Sequence, residues 1–393
     1  MKQLLLFNAC KNTPSYTNLS PILKWTGGKE KELPYIKAYS PSSYVNYYEP
    51  FVGGGSVFTA INAEHLYIND KSRELVSLYN CIASSDASFY NFNSIIIDAW
   101  NGLLSFADQH RELCDWYIEF ANGNLLESDL LLRLKNFIES EWKNIDILVK
   151  DDICWHRDIF YNELVKNFSR KLLRMKKLDN VRGKMTKDDI FNNIETAFMS
   201  SLYMYFRGIY NDHALMASNT SLEAAVFLFI RNFAYSGMFR YNTNGDFNVP
   251  YGGIAYNHKN MEKKISYYQS KELLEHFGKT TIENMDFEDF FQKHVPGEND
   301  FIFLDPPYDS EFSTYAQNEF GRADQERLAD YLYSKCKAKW QMIIKYTPFI
   351  YSLYDRPGLY IAKFDKKYQV SFMNRNDKDC EHLIITNYKV LKD

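Results

Sequence analysis

Strand and helix patterns alternate at both ends of the chain and are separated by a long stretch of helical patterning, which predicts an α/β protein with a mostly helical domain inserted into it. A third observation sets the kind of sheet. Phe301-Ile302-Phe303-Leu304 is apolar without alternation, as expected of a strand covered on both faces of a parallel sheet. A chain of 393 residues is long enough for two such units. The expected division is 1–87 plus 261–393 for the α/β domain and 88–260 for the insertion.

The first alternation begins with the β-rich run Tyr44-Val45-Asn46-Tyr47-Tyr48, passes through Glu49-Pro50-Phe51-Val52-Gly53-Gly54-Gly55, and enters a stretch compatible with a helix from Ser56. A second short strand, Leu66-Tyr67-Ile68-Asn69, ends at Asp70, and Leu75, Leu78 and Tyr79 mark the helix after it. In the C-terminal third, residues 324–335 suit a helix and Trp340 to Lys345 a strand. Leu359 to Phe364 and His382 to Tyr388 read as a strand pair closing the edge of the sheet.

Within the insertion, Leu164, Phe168, Leu172 and Met175 recur at helical spacing. Lys166, Arg170, Lys171, Arg174, Lys176 and Lys177 fill the positions between them, which gives a basic amphipathic helix. Arg182, Lys184 and Lys187 continue the charge. The insertion ends in an expected hairpin over 238–250, with Asn244-Gly245 as its turn.

With 46% apolar and 24% charged residues the composition is that of a folded globular protein. A net charge of −4 excludes a protein that coats nucleic acid by bulk attraction, so any such footprint is local. The 30 Tyr and 29 Phe supply rings that can fill a core or stack on bases. The six cysteines form no C-x-x-C pair and the eight histidines show no H-x-x-x-H spacing, so neither a metal site nor a disulfide framework is expected. There is no signal-peptide pattern and no run near the roughly 20 apolar residues of a membrane span. The expectation is a cytoplasmic protein without membrane or metal.

Two segments carry chemistry. Gly53 to Gly55 form a turn that lets backbone approach a ligand, and Asp70 ends the next strand, where a carboxylate can accept both hydroxyls of a ribose. The spacing is not that of a full G-x-G-x-x-G and no phosphate loop of the G-x-x-x-x-G-K type exists, which suits a nucleoside without pyrophosphate; a tight turn without ligand remains open at this point. The second segment is Asp305-Pro306-Pro307-Tyr308, directly after the buried strand, at the edge where open α/β sheets bind ligands. The Asp305 carboxylate and the Pro306 carbonyl can both accept from one aromatic amine, localising a lone pair that the ring otherwise delocalises. The prolines fix φ so that the two acceptors converge, and Tyr308 offers a face for stacking.

These residues belong to a longer series: Lys24-Trp25-Thr26-Gly27-Gly28-Lys29, Glu49 to Phe58, Asn69-Asp70, Phe247-Asn248-Val249-Pro250-Tyr251-Gly252, Asp286-Phe287, and Asp305 to Tyr308 with Phe312-x-x-Tyr315 behind it. In content and order the series resembles the Dam-type (D12 class, α group) family of adenine-N6 DNA methyltransferases, across most of the chain. The resemblance implies a class I, Rossmann-like methyltransferase sheet with an inserted target-recognition domain, S-adenosyl-L-methionine as methyl donor, and double-stranded DNA as partner. It implies that Trp25, Lys29, Asp70 and Asp305 contact the donor, that Glu49, Pro50, Phe51, Gly53 and Gly55 form the loop beside it, and that Asp286 and Phe287 line its adenine. Asp305, Pro306, Pro307 and Tyr308 then hold a flipped-out target adenine. Arg240, Tyr241 and Asn242 of the hairpin are the expected DNA contacts, with Lys171 and Arg174 of the basic helix expected on phosphates. The resemblance also leaves room for a separately encoded restriction endonuclease as partner.

Three rival readings are weighed. Cytosine-N4 methyltransferases share the amine chemistry but typically carry Ser in place of Asp305; RNA adenine methylation fits the tetrad but not the hairpin; a silent nucleic-acid-binding module has no use for both Asp305 and Lys29. Cytosine-C5 methylation needs a thiolate, usually in a Pro-Cys context, and no Pro-Cys dipeptide occurs.

Overall fold

A computed structural model describes residues 16–25, 27–146, 156–308, 320–367 and 379–390. Thr26, Phe312 and Tyr315 lie outside the described residues. The chain divides into two compact units, Met1–Asn80 with Lys271–Asp393, and Cys81–Ser270.

The first unit holds a seven-stranded sheet. In chain order its strands are β1 (Asn46–Glu49), β2 (His65–Asn69), β3 (Thr280–Glu283), β4 (Phe301–Leu304), β5 (Lys339–Lys345), β6 (Tyr360–Lys367) and β7 (Asp379–Thr386). Their order across the sheet is β3-β2-β1-β4-β5-β7-β6, with β7 antiparallel to both its neighbours and the other pairs parallel. This is the mixed α/β sheet of the class I methyltransferase fold. The register brings Tyr47 beside Phe301 and Tyr48 beside Ile302, which sets the ends of β1 and β4 next to each other.

All four residues of β4 are fully buried, each contributing about 1.5–3 kcal/mol of burial free energy. On one face Ile302 and Leu304 join Trp340, Met342, Ile344, Leu383 and Ile385. Phe287, Phe290 and Phe291 from the helix Phe287–Lys293, and Leu328, Ala329 and Leu332 from the helix Arg322–Ser334, complete this core.

Two expectations are corrected. The segment from Ser56 does not form an α-helix: it makes one 3₁₀ turn, Phe58–Ala60, and runs on toward β2. Gly53 and Gly55 have positive φ, Thr59 bonds its hydroxyl back to the Gly55 carbonyl at 2.7 Å, and Ile61 pairs with Tyr16. Every residue from Gly54 to Ile61 is buried, so the segment has no polar face to give a surface helix. The other correction is β3, a strand absent from the expected alternation. Its β-branched Thr280-Thr281-Ile282 follows Gly278 and pairs with β2 from Leu66 to Asn69.

The second unit is helical. The basic segment is one helix, Arg157–Arg182, whose Phe160, Leu164, Phe168, Leu172 and Met175 are buried. It packs on Lys187–Tyr210, which starts with a Thr186–Asp189 capping box. The helix Thr220–Phe233 is buried from Leu222 to Phe233, the pattern of a central helix. Much of the aromatic content is spent here, as in the contacts of Trp100 with Phe233 at 4.1 Å and of Phe206 with Phe229 at 4.9 Å between ring centroids. No helix among the described residues is long and apolar enough to cross a membrane.

Candidate active site and hairpin

β1 alternates so that Tyr47 and Glu49 share a face, and the Tyr47 hydroxyl donates to the Glu49 carboxylate at 2.6 Å. Burial pushes the Glu49 carboxyl well above its ordinary range; the Tyr47 bond opposes this, the Asp305 charge adds to it, and Lys29 and a backbone bond from Phe58 oppose it further. Lys29, only 2% exposed, forms an ion pair with Asp305 at the end of β4. Its ammonium also donates to the Gly27 carbonyl at 2.7 Å and lies 3.4 Å from the Tyr308 hydroxyl. Lys29 and Asp305, 276 residues apart in sequence, thus meet at the carboxyl edge of the sheet. Pro306 is buried and Pro307 exposed, and the Pro307 carbonyl accepts from Gln325 at 2.7 Å.

The glycine turn is held from several sides. The Gly53 N–H donates to Asp70 at 2.9 Å, and the other Asp70 oxygen accepts from the Ser72 N–H at 2.9 Å. Burial raises the Asp70 carboxyl, against the lowering effect of these N–H groups and that of Lys71. A carboxylate has about four acceptor positions, so Asp70 keeps capacity for a ligand hydroxyl. Tyr79 donates to the Gly53 carbonyl at 2.7 Å. Gly54 is the most confined of the three: a Cβ there would sit 2.2 Å from the Leu23 carbonyl oxygen and 2.8 Å from Trp25 Cβ. Trp25 therefore packs directly on the turn.

Asn69 links three strand ends. Its amide donates to the carbonyls of Pro50 at 3.0 Å and Met285 at 3.1 Å, and accepts from the Met285 N–H at 3.0 Å. Beyond it, Asp286 caps the helix Phe287–Lys293 and receives the fork of Arg327 through two bonds of 3.2 Å. Burial alone would raise the Asp286 carboxyl, but Arg327 and the Glu288 N–H hold it below the usual range. Phe51, Phe287 and Phe320 form an aromatic group with centroids 5.5–5.9 Å apart. Spacing singled out Gly53, Gly55 and Asp70; it did not single out Gly54, Asn69, Gln325 or Arg327. For Asn69 and Gly54 the only signal was their place inside a quoted motif.

In the second unit the segment 238–250 turns back on itself through the single antiparallel bridge Tyr241–Phe247, without regular strands. Gly245 has φ +85° while Asn244 does not have positive φ, so the turn is not a two-residue type I′ Asn-Gly turn but a three-residue loop with glycine in the left-handed position. Asn242 builds that loop, its side-chain oxygen accepting from the N–H groups of Asn244 and Asp246, both at 2.9 Å. Arg240 is exposed and bonds Asn248 at 2.9 Å. The Tyr241 ring lies against Phe239 and Phe247, its hydroxyl 3.0 Å from that of Tyr210. Tyr235 and Met238, both exposed apolar side chains, stand just ahead of Arg240.

The basic helix is less free than its charge implies. Lys166 pairs with Glu163, and Lys176 bonds the Phe120 carbonyl and lies over its ring. Lys171 is half-buried, and burial followed by the charge of Arg174 lowers its ammonium pKa. Arg170, Arg174 and Lys177 are exposed.

Comparison with known proteins agrees with this architecture. The family described as D12 class N6 adenine-specific DNA methyltransferase matches residues 25–117 and 154–370. The type II methyltransferase M.CviBI of Paramecium bursaria Chlorella virus NC1A is 25% identical over 94% of this chain and 100% of its own length. The type II methyltransferase M.MjaIII of Methanocaldococcus jannaschii is 25% identical over 94% of this chain and 99% of its own. A DNA adenine methylase of Haemophilus influenzae is 31% identical over 33% of this chain and 46% of its own. With the family matched across most of its length and across both motif-bearing ends of the sheet, this chain belongs to the D12 class of N6 adenine-specific DNA methyltransferases.

Proposed function

We propose that Asp305, Pro306, Pro307 and Tyr308 are the mouth in which the adenine amine is methylated, and that the observation carrying this is the ion pair joining Asp305 to Lys29 beside buried Glu49. The Asp305 carboxylate and the Pro306 carbonyl accept from the two N6 hydrogens, which turns the nitrogen lone pair outward, and Tyr308 stacks on the base. S-adenosyl-L-methionine supplies the methyl group from its sulfonium centre. As the N6–methyl bond forms and the sulfur–methyl bond breaks, N6 becomes cationic and its surplus proton is held at Asp305. That side chain is 20% exposed and can pass the proton to water.

The donor set fits this methyl donor. Asp70 suits the ribose hydroxyls, the Phe51, Phe287 and Phe320 rings an adenine, and the Gly53–Gly55 turn under Trp25 a close backbone approach. Lys29 and Glu49 would serve the charged methionine end, Lys29 toward its carboxylate and Glu49 toward its ammonium. Asp286 acts mainly through Phe287, because its carboxylate is already engaged by Arg327.

The unit Cys81–Ser270 is proposed as the target-recognition domain, with Arg240 as its leading base or phosphate contact and Tyr241 and Asn242 shaping the loop that presents it. Arg174 is proposed on DNA phosphate. Extrusion of the target adenine from duplex DNA costs a few kcal/mol, which these contacts offset. The words "type II" in two relatives' names support a partnership with a separately encoded restriction endonuclease.

The test is Asp305→Ala assayed with methylation-free genomic DNA. Methyl incorporation should fall by at least about a thousandfold with a cooperative thermal melt retained, its midpoint lowered by the loss of the Lys29 partner, and near wild-type turnover would sink the mechanism. Modification-sensitive sequencing of the methylated DNA reads the base and its flanking sequence together.

A further inference from the structure

The two prolines lock φ at positions 306 and 307, and Pro307 also restricts ψ of Pro306, but ψ of Pro307 stays free, so the peptide plane between Pro307 and Tyr308 still has to be set by something else. That plane decides where the Tyr308 ring stands relative to Asp305. One contact that sets it comes from Gln325, whose Nε2 donates to the Pro307 carbonyl at 2.7 Å.

Gln325 is fully buried although Pro307 is exposed. It sits on the helix Arg322–Ser334, which is fixed by Leu328, Ala329 and Leu332 in the core, by the Gly321 N–H bond to Asp324 at 2.9 Å, and by Arg327 forked to Asp286 and Glu288. The amide oxygen of Gln325 is buried with no partner among the described residues. An amide with one half unsatisfied is a poor choice for filling a core, where leucine would pack without the desolvation cost. What it provides that leucine cannot is one donor, aimed at the turn.

We propose that Gln325 is a positioning residue for methyl transfer: it fixes the Pro307 carbonyl and so holds Tyr308 at its working angle to Asp305, using a helix that Arg327 ties to the loop after β3. The proposal rests on the reading of Asp305–Tyr308 as the amine-methylating turn. Loss of the bond should slow the chemical step and leave the donor's binding intact.

The experiment compares full-length wild type, Gln325→Leu, Gln325→Glu and Asp305→Ala, using methylation-free genomic DNA and S-adenosyl-L-methionine, with kcat, donor Kd and thermal melting measured for each. Gln325→Leu should lower kcat by at least about tenfold with donor Kd within about twofold of wild type. Gln325→Glu is the sharper probe. Its protonated carboxyl can donate to the Pro307 carbonyl while its ionised form cannot, and burial raises its pKa toward neutrality. Its kcat relative to wild type should therefore rise as pH falls.

A Gln325→Leu kcat within twofold of wild type overturns the proposal, as does a Gln325→Glu ratio that does not change with pH. Loss of the cooperative melt in both variants would assign Gln325 to folding and also overturn it. If Asp305→Ala is inactive while Gln325→Leu is fully active, only the role of Gln325 fails. If Asp305→Ala is itself active, the reading of the turn fails first.

Discussion

His276 lies buried beneath the glycine segment, its Nε2 3.0 Å from the Phe58 carbonyl and its ring 4.7 Å from the Phe58 ring. Burial pushes its imidazole from 6.5 down to about 4; the Phe58 bond opposes this and the Lys279 charge adds to it. Between these two values the unfolded chain holds a proton that the folded chain excludes, so stability is lost as pH falls through that window and is unaffected above it. The full loss is about 3 kcal/mol. His276→Gln keeps a donor for Phe58 without titrating, and should flatten the urea midpoint between pH 6.5 and 4; an unchanged slope would assign the acid sensitivity elsewhere. Nothing in the sequence marks His276, because the Phe58 carbonyl and ring that it packs against are more than two hundred positions away. Gly54 is a milder case of the same limit. Motif spacing pointed to the glycines on either side of it, whereas the crowding of Gly54 against Leu23 depends on a segment that only the fold brings there.

At the scale of elements, apolar periodicity was informative and charge was not. Leu164, Phe168, Leu172 and Met175 are all buried on one helix, as their spacing predicts. The lysines and arginines between them look alike in sequence, yet Lys166 is neutralised by Glu163, Lys176 is drawn onto Phe120, and Lys171 has a depressed pKa. Exposure therefore separates two residues first taken together. Arg174→Ala should reduce the slope of log K against log salt for DNA binding by about one, and Lys171→Ala should leave it close to wild type. Equal reductions for the two variants would overturn the distinction between them, and no change for either would remove this helix from the DNA footprint. The hairpin shows a comparable limit. Asn244-Gly245 marked the reversal, but the loop is made by the Asn242 side chain, whose amide takes two backbone N–H groups that no turn rule assigned to it.

Across the whole molecule, the alternation of strands and helices was visible while the order of the strands was not, because parallel neighbours are fixed by pairings far apart in sequence. β2 and β3 pair residue by residue from Leu66–Thr280 to Asn69–Glu283, with the entire helical unit between them in the chain. A short half-buried strand beyond such an interruption has little local pattern to reveal it. The helical unit itself accounts for why the interruption is tolerated. Its first long helix, Ala87–Gln109, meets the returning chain through Trp100 to the Asn257 carbonyl at 3.0 Å, Asn101 to Glu262 at 3.0 Å and, near the helix start, the Tyr90 hydroxyl to the Tyr268 carbonyl at 3.4 Å, so entry and exit lie together. Asp86 caps that helix by accepting the Phe89 N–H, which gives a natural starting point. A fragment of residues 86–270 should therefore fold alone, with a helical circular-dichroism spectrum and a cooperative melt, since its core is closed by its own helices around the buried Thr220–Phe233. A fragment lacking a cooperative transition would mean that the sheet unit supplies part of that core.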